Sequence, residues 1–358
     1  MISKALVVGA YQRKCEELAK LDVGLRVVVP PSWILEGKHQ KLERAYTSGY
    51  ELEVEPIWLN GHFHVHFYPL LRRQLRDFRP DIVHIDEEAY NLSTLQALRL
   101  ARRYGARTVF FTWQNLDRRY PWPFSAIERY VLERADACIA GNDEAADIQR
   151  RRGFERDIAV IPQFGVDPEL FAPVHSSHEG FIVGFAGRLV EQKGLWLLCE
   201  AFEQLPADCR LWLAGSGPLE ASLRERAAAN GWAERLTVVS AASAAMPMVY
   251  AQMDCLVLPS LTTPAWKEQF GRAAVEAMAC EVPVIGSDSG EIPKVLGDAG
   301  VVVPEGDSGA LLGAIRRLYE DAAERRRLGK AGRARMLERF TQERVAAETA
   351  AVYRGLVS

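Results

Sequence analysis

Two glutamates, Glu268 and Glu276, and the short stretch joining them carry the strongest chemical signal in the chain. The run Glu268-Gln269-Phe270-Gly271 opens it, and an apolar segment before it, Cys255 to Leu258, predicts a buried strand ending at Pro259-Ser260. The alanine-rich continuation from Arg272 to Cys280 predicts a helix with Gly271 at its start. At such a start the backbone amides around Phe270 and Gly271 lack intrahelical acceptors. They form a small positive pocket suited to a phosphate or to polarised sugar oxygens. At ~100° per residue, the eight positions from 268 to 276 turn about 80° around a helix. The two carboxylates therefore need not share a face and can serve different parts of one ligand. A surface helix with two solvated carboxylates fits less well with the strand before it and the Gly-Ser-Asp-Ser-Gly-Glu turn after it, 286–291.

The first half offers further polar groups at the ends of predicted strands. Val83-His84-Ile85 leads into Asp86-Glu87-Glu88, and strand carboxyl ends face the ligand crevice in open α/β sheets. Glu87 is the candidate for an acceptor or sugar contact, the alternative being that Asp86 or Glu88 caps the helix beginning near Leu92. The next strand also ends polar, in Trp113-Gln114-Asn115, where Trp113 and Asn115 can line a sugar pocket. His62, His64 and His66 fall on one face if 61–67 is extended. Three imidazoles could bind a metal, but no carboxylate partner is identifiable; lining an acceptor cleft, with His64 the candidate, or a polar packing surface are the other fates. Asp117 to Phe124 is basic and aromatic with two prolines, so it is no regular helix. It suits an acceptor loop, a shallow membrane-surface contact or an inert packed loop.

These groups need a scaffold, and the pattern supplies one. Ala5–Gly9, Leu25–Val29, Ile82–Ile85, Thr108–Thr112, Ala137–Ala140 and Ala159–Ile161 are short apolar or β-branched runs, and helical patterns such as Leu92–Tyr104 and Ile127–Ala135 lie between them. Continuous apolar strands alternating with helices indicate a parallel sheet covered on both faces, an α/β class. After Gly9 the chain does not complete Gly-x-Gly-x-x-Gly, and the second strand ends in Pro30-Pro31 instead of an acid, which argues against a dinucleotide site. With 358 residues there is room for two cores. The net charge of −3 gives no reason to expect nucleic acid as a partner. The opening run is too short for a signal peptide, and no stretch approaches the ~20 apolar residues of a membrane span. Six scattered cysteines without a Cys-x-x-Cys pair suggest reduced, buried thiols in a cytoplasmic protein.

The spacing of Glu268 and Glu276, with Pro-Ser before and Glu-Ala-Met-Ala-Cys-Glu-Val-Pro-Val-Ile after, resembles the donor-site signature of GT-B glycosyltransferases of the family 4 type. The resemblance is strong over 181–303 and collinear elsewhere. It implies two Rossmann-like domains facing each other across a cleft: an acceptor domain 1–171, a linker 172–180, a donor domain 181–339 and a returning helix 340–358. It implies that Glu268 faces the donor sugar and Glu276 the ribose hydroxyls. Arg188 and Lys193, in Gly187-Arg-Leu-Val-Glu-Gln-Lys-Gly194, match the family's diphosphate-binding pair. Two cations there can neutralise charge growing on a departing nucleoside diphosphate. Gly9 and Ala10 take the position that approaches the diphosphate, and Gln269, Phe270, Gly271 and Gly187 complete the donor contacts. Where relatives carry Phe-Leu-Gly beside the base this chain reads Val238-Val-Ser-Ala-Ala-Ser243, so Ser240 and Ala241 stand as neighbours of an unidentified base. The acidic 86–88 cluster departs from relatives that carry histidine near there.

The implied activity is retaining transfer of a sugar from a nucleotide-sugar to a hydroxyl acceptor, which can be a glycan, a lipid-linked sugar or a small molecule. No Asp-x-Asp sequence is present to hold a divalent ion on a diphosphate, so neither metal nor other cofactor is expected. A nucleotide-sugar epimerase and a non-catalytic nucleotide-sugar binder remain as alternatives. Peripheral contact at the inner face of the membrane is compatible with the basic aromatic loop.

Overall fold

The β-branched runs fold into parallel sheets in the computed structural model, which describes all residues except 36, 175, 177 and 358. Positions 175 and 177 of the expected linker and 358 of the expected returning segment thus lie outside the described residues. The chain divides into two units, Met1–Gly165 with Gln342–Ser358, and Val166–Thr341.

In the first unit β1 (Arg26–Val29) and β4 (Glu51–Val54) pair in parallel, with an antiparallel hairpin of β2 (Ser32–Leu35) and β3 (Lys38–Lys41) between them in sequence. A second parallel ladder runs β5 (Ile82–Ile85), β6 (Arg107–Thr112), β7 (Ala137–Ala140) and β8 (Asp157–Val160). Ile2 joins the two ladders, bridging Val28 on one side and Ile85 on the other. Its amide donates to the His84 carbonyl at 2.9 Å, and Val28 N donates to the Met1 carbonyl at 2.8 Å. The run Ala5–Gly9, expected as the first strand, is instead two 3-10 turns, Ala5–Val7 and Gly9–Gln12. The slot between β1 and β5 is filled by Ile2, so the chain turns off the sheet. Leu6 packs with Cys15, Leu18, Val27 and Val29, and the Gln12 amide holds the turn through the Leu6 carbonyl at 2.9 Å.

The helix Gln342–Val357 belongs to this unit, seating Ala346, Ala350 and Tyr353 in the same core. The residues 166–171, expected to close the first domain, pack in the second instead. Val166 and Phe171 are buried there with Ile182 and Tyr250, because two large apolar side chains find their burial on that side of the boundary.

The second unit has one parallel sheet of β9 (Phe181–Ala186), β10 (Cys209–Ala214), β11 (Leu236–Val239), β12 (Cys255–Leu258), β13 (Val284–Ser287) and β14 (Val301–Val303). Its spatial order is β11-β10-β9-β12-β13-β14. The order reverses between β9 and β12, which makes their carboxyl ends the topological switch point where open α/β sheets place ligands. β9 and β12 are buried along their whole length, as strands covered on both faces must be. All six cysteines are buried and none is in a disulfide. No helix among the described residues is long and apolar enough to cross a membrane.

One buried polar pair in the first unit has a measurable signature. His84 Nδ1 lies 2.5 Å from the Tyr353 hydroxyl. Burial, with the Lys14 charge adding to it, pushes the imidazole well below its ordinary range. The unfolded chain then binds more protons below about pH 6.5, so stability is lost as pH falls. His84 therefore pulls the melting temperature down between about pH 7 and pH 5, against Glu88, whose raised pKa works the other way over the same range. Replacing both partners, His84→Leu with Tyr353→Phe, is expected to remove the His84 contribution. The double variant should then lose less, or gain more, melting temperature than the parent on going from about pH 7 to about pH 5; an unchanged slope would contradict it.

Candidate active site

The second unit brings Lys193 and Glu268 together at the switch point. After β9 the chain passes Gly187 and the exposed Arg188 into a 3-10 turn, Glu191–Lys193. Gly194 follows at φ +68°, and a Cβ there would stand 1.8 Å from the Pro259 carbonyl oxygen. Only glycine lets this loop press so closely on the end of β12. Leu261 N then donates to the Gln192 carbonyl at 2.9 Å. The result is that Lys193 Nζ reaches Glu268 Oε2 at 2.5 Å. Ser260 Oγ donates to the same carboxylate oxygen at 3.1 Å. Ser260 is fully buried, and its carbonyl accepts from Ser287 Oγ at 2.6 Å. The indole of Trp266 lies with its centroid 4.9 Å from Lys193 Nζ.

Glu268 is also fixed through its backbone. Gly290, at φ +56°, sits so close that a Cβ would fall 2.0 Å from the Glu268 carbonyl oxygen. Glu291 N donates to that oxygen at 3.2 Å. Glu276 has a separate set of partners: the Tyr250 hydroxyl donates to Oε2 at 2.8 Å and Arg272 Nε to Oε1 at 2.7 Å. Burial, then the Glu276 carboxylate, pushes the Tyr250 phenol well above its ordinary range, so Tyr250 stays a donor. Both glutamates are nearly buried, 8% and 7% exposed, and they face different partners; Glu268 lies in the loop before the helix, so the loop and not a helical offset sets its direction. The helix Arg272–Ala279 starts where expected, with Gly271 as its N-cap, while Phe270 packs edge-on against Phe340 at 5.7 Å and Gln269 is exposed. Ser240 is exposed and Ala241 half-buried just after β11.

In the first unit the acidic cluster lies at the carboxyl end of β5, and each carboxylate has its own fate. Asp86 accepts from Ser3 Oγ at 2.6 Å, and burial raises its pKa. Glu87 is paired with Lys4, accepts from Asn91 Nδ2 at 3.1 Å and has His66 Nε2 3.5 Å away. Burial works to raise its pKa, but Lys4 and His66 outweigh that and hold it at about 2. Glu88 accepts from Thr112 Oγ1 at 2.7 Å and Trp113 N at 2.8 Å, yet burial lifts its pKa to about 7. No side chain from this cluster caps the helix Leu92–Arg103; its N-cap is Asn91, without a side-chain cap bond.

The histidine run is not extended. Val65 N and His66 N both donate to the His62 carbonyl, at 3.2 and 3.1 Å, winding 62–66 into a turn. His62 is exposed, His64 half-buried and His66 buried, so the three do not share a face. Among the described residues no group of three or more His, Cys, Asp or Glu could hold a metal ion. His64 instead meets Tyr90, Tyr120 and Phe124, with ring centroids 5.4, 5.4 and 5.0 Å away. Trp113 donates from Nε1 to Gln163 Oε1 at 2.9 Å, and Asn115 is buried. Gly9 N donates to Glu43 Oε2 at 2.8 Å, and the half-buried Ala10 follows in the same 3-10 turn. An internal carboxylate thus occupies the amide expected to meet a diphosphate.

Sequence patterns missed Tyr250, Trp266, Lys4 and Glu43. Ser260 was visible as the end of a predicted strand, and Trp266 lies only two positions before Glu268. Lys4 and Glu43 carry no local signal, since their partners are distant in the chain.

Two α/β units, the second with a cation–carboxylate pair at its sheet switch point, fit the architecture of the GT-B glycosyltransferases. The "Glycosyl transferases group 1" family profile matches residues 166–335, and the "Glycosyl transferase 4-like domain" profile matches 8–163. The chain belongs to the GT-B glycosyltransferases of the family 4 type. An alpha-maltose-1-phosphate synthase of Mycolicibacterium smegmatis is 28% identical over 70% of this chain and 73% of its own length. Among solved structures, sucrose-phosphate synthase from Thermosynechococcus elongatus superposes with a TM-score of 0.77 at 22% identity, covering 99% of this chain and 98% of that one. Alr3699/HepE from Anabaena, solved with UDP, gives 0.73 at 18% identity over 97% and 96%.

The geometry at Gly194 makes a direct prediction. Gly194→Ala must shift the loop or Pro259, at a cost on the order of 1–3 kcal/mol, or roughly 2–12 °C in melting temperature. It should also pull Lys193 away from Glu268 and lower activity in the protein that remains folded. A melting curve and a specific activity matching the parent would overturn this account.

Proposed function

We propose that the enzyme is a retaining glycosyltransferase whose donor is a nucleoside diphosphate sugar, bound in the second unit. The observation that carries the proposal is the Lys193–Glu268–Ser260 cluster at the switch point between β9 and β12. Arg188 and Lys193 take the diphosphate, Glu268 the transferring sugar, and Glu276 the ribose hydroxyls. The amides at Phe270 and Gly271 add partial positive charge, with Gly187 and Gln269 beside them, and Ser240 and Ala241 neighbour the base. Gly9 and Ala10 contribute only if Glu43 yields the Gly9 amide. No nucleophile with an adjacent base stands beside Glu268 among the contacts described. A same-face displacement, with the leaving phosphate taking the acceptor's proton, therefore suits the site. As the glycosidic bond breaks, charge collects on the leaving oxygen, and the two cations gain most at that moment.

The acceptor side is assigned to the first unit: His64 in its aromatic cluster, Trp113, Asn115 and the Glu87 region. Glu87 itself serves by fixing Lys4 and Asn91, since its carboxylate is held by them. The acceptor is a hydroxyl on a glycan, a lipid-linked sugar or a small molecule. In the loop 117–124 Trp122 is 82% exposed beside Arg118 and Arg119, which suits transient contact of a cytoplasmic enzyme with an anionic membrane surface.

The test is transfer of label from a panel of nucleotide-sugars to sugar acceptors; release of free modified sugar without an acceptor would point to an epimerase instead. Arg188→Ala, on an exposed side chain, is expected to lower turnover by about 10²–10³ while changing stability by no more than about 0.5 kcal/mol. Lys193→Ala should lose turnover to a similar extent and some stability as well, because it removes the ammonium that Glu268 Oε2 meets at 2.5 Å in a largely buried site. Activity falling only in step with folded protein in the Arg188 variant would place the donor site elsewhere. Because lysine and arginine supply the electrostatics, activity is expected to survive excess chelator. Abolition by chelator with rescue by Mg²⁺ or Mn²⁺ would refute this.

A further inference from the structure

Trp266 has no role in the mechanism above, yet its placement is closely determined. It lies half-buried in the loop between β12 and the helix Arg272–Ala279. Thr263 and Trp266 exchange backbone hydrogen bonds of 2.7 and 3.2 Å, closing a tight turn. Ala265 N donates to Thr263 Oγ1 at 3.2 Å and Thr262 N to Glu305 Oε2 at 2.9 Å. The Thr262 and Ser289 hydroxyls meet at 3.0 Å, pinning the turn to the same segment that grips the Glu268 backbone. This turn sets the indole 4.9 Å from an ammonium that Glu268 holds at 2.5 Å.

The two holders of Lys193 behave differently when a diphosphate arrives. The ammonium has three N–H donors, but a carboxylate and phosphate oxygens compete for its charge, so a diphosphate that draws Lys193 toward itself loosens the bond to Glu268. An indole face attracts the cation through its quadrupole whichever anion lies on the other side. It therefore restrains the ammonium without competing as an anion. We propose that Trp266 is a positioning residue for Lys193: it keeps the ammonium in the site while Glu268 is exchanged for the donor diphosphate. The released carboxylate then turns to the hydroxyls of the donor sugar, so recognition of phosphate and of sugar is coupled through one lysine. This inference rests on the nucleotide-sugar reading of the site.

The test is a double-mutant cycle on the full chain, read by calorimetry with UDP and GDP and followed with whichever binds the parent more tightly. The variants are W266M, which keeps apolar bulk without a π-face, K193M, the two together, and W266F. W266L replaces W266M if melting curves show that the latter does not fold. W266M is expected to weaken nucleotide binding about 3- to 30-fold and W266F to restore it to within about 3-fold. In the K193M background the tryptophan change should cost less than about 2-fold, because the partner it positions is gone. Losses that are equal with and without Lys193, or no loss in W266M, would overturn the inference while leaving the donor site intact. A parent that binds neither nucleotide and transfers no sugar would overturn the nucleotide-sugar reading and this inference with it.

Discussion

An ammonium and a carboxylate, both largely withdrawn from water, meet between the loops that leave β9 and β12. Neither could be buried there alone, since an unpaired charge loses its hydration with nothing in return. Much of the surrounding sequence follows from that constraint. Gly194 is needed for the lysine loop to come against Pro259, and Gly290 for the next turn to close on the Glu268 backbone. Ser260 supplies a buried hydroxyl to the same oxygen. The two charges offset each other, and a ligand that separates them must satisfy both.

The first unit solves a related problem differently. Three consecutive carboxylates at the end of β5 are sent to three sets of partners, and their ionisation is spread accordingly. Glu87, with Lys4 against it, is held at about 2, whereas Glu88, with neutral donors, rises to about 7. Adjacent residues of one type thus carry different charge near neutrality. Largely buried and separately paired, the cluster does not form the uniformly acidic edge that the residue types suggest.

What could be seen in the sequence was what depends on neighbours in the chain. The strand Cys255–Leu258, the helix beginning at Arg272 and the Glu268–Glu276 spacing are local patterns, and each lies where the pattern places it. The errors came where distant residues decide. Ala5–Gly9 has the composition of a strand, but Ile2 already fills the gap between β1 and β5. Alternating histidines read as an extended segment, yet two amides converge on the His62 carbonyl and wind it up. Glu87, the candidate acceptor contact, has no pairing partner nearby in sequence; the fold brings Lys4, 83 positions earlier, against it. Trp266 stood in plain sight beside Glu268; only the fold shows which cation it covers.

The buried thiols make the two units separately observable. Cys15 and Cys138 lie in the first unit, and Cys199, Cys209, Cys255 and Cys280 in the second. Burial holds Cys15, Cys199 and Cys280 at a pKa of about 12, so they are poor nucleophiles while folded. Each reacts with a thiol probe only when its own surroundings open. Labelling rates, resolved by peptide, therefore time the opening of each unit independently, with no cysteine engineered into the chain.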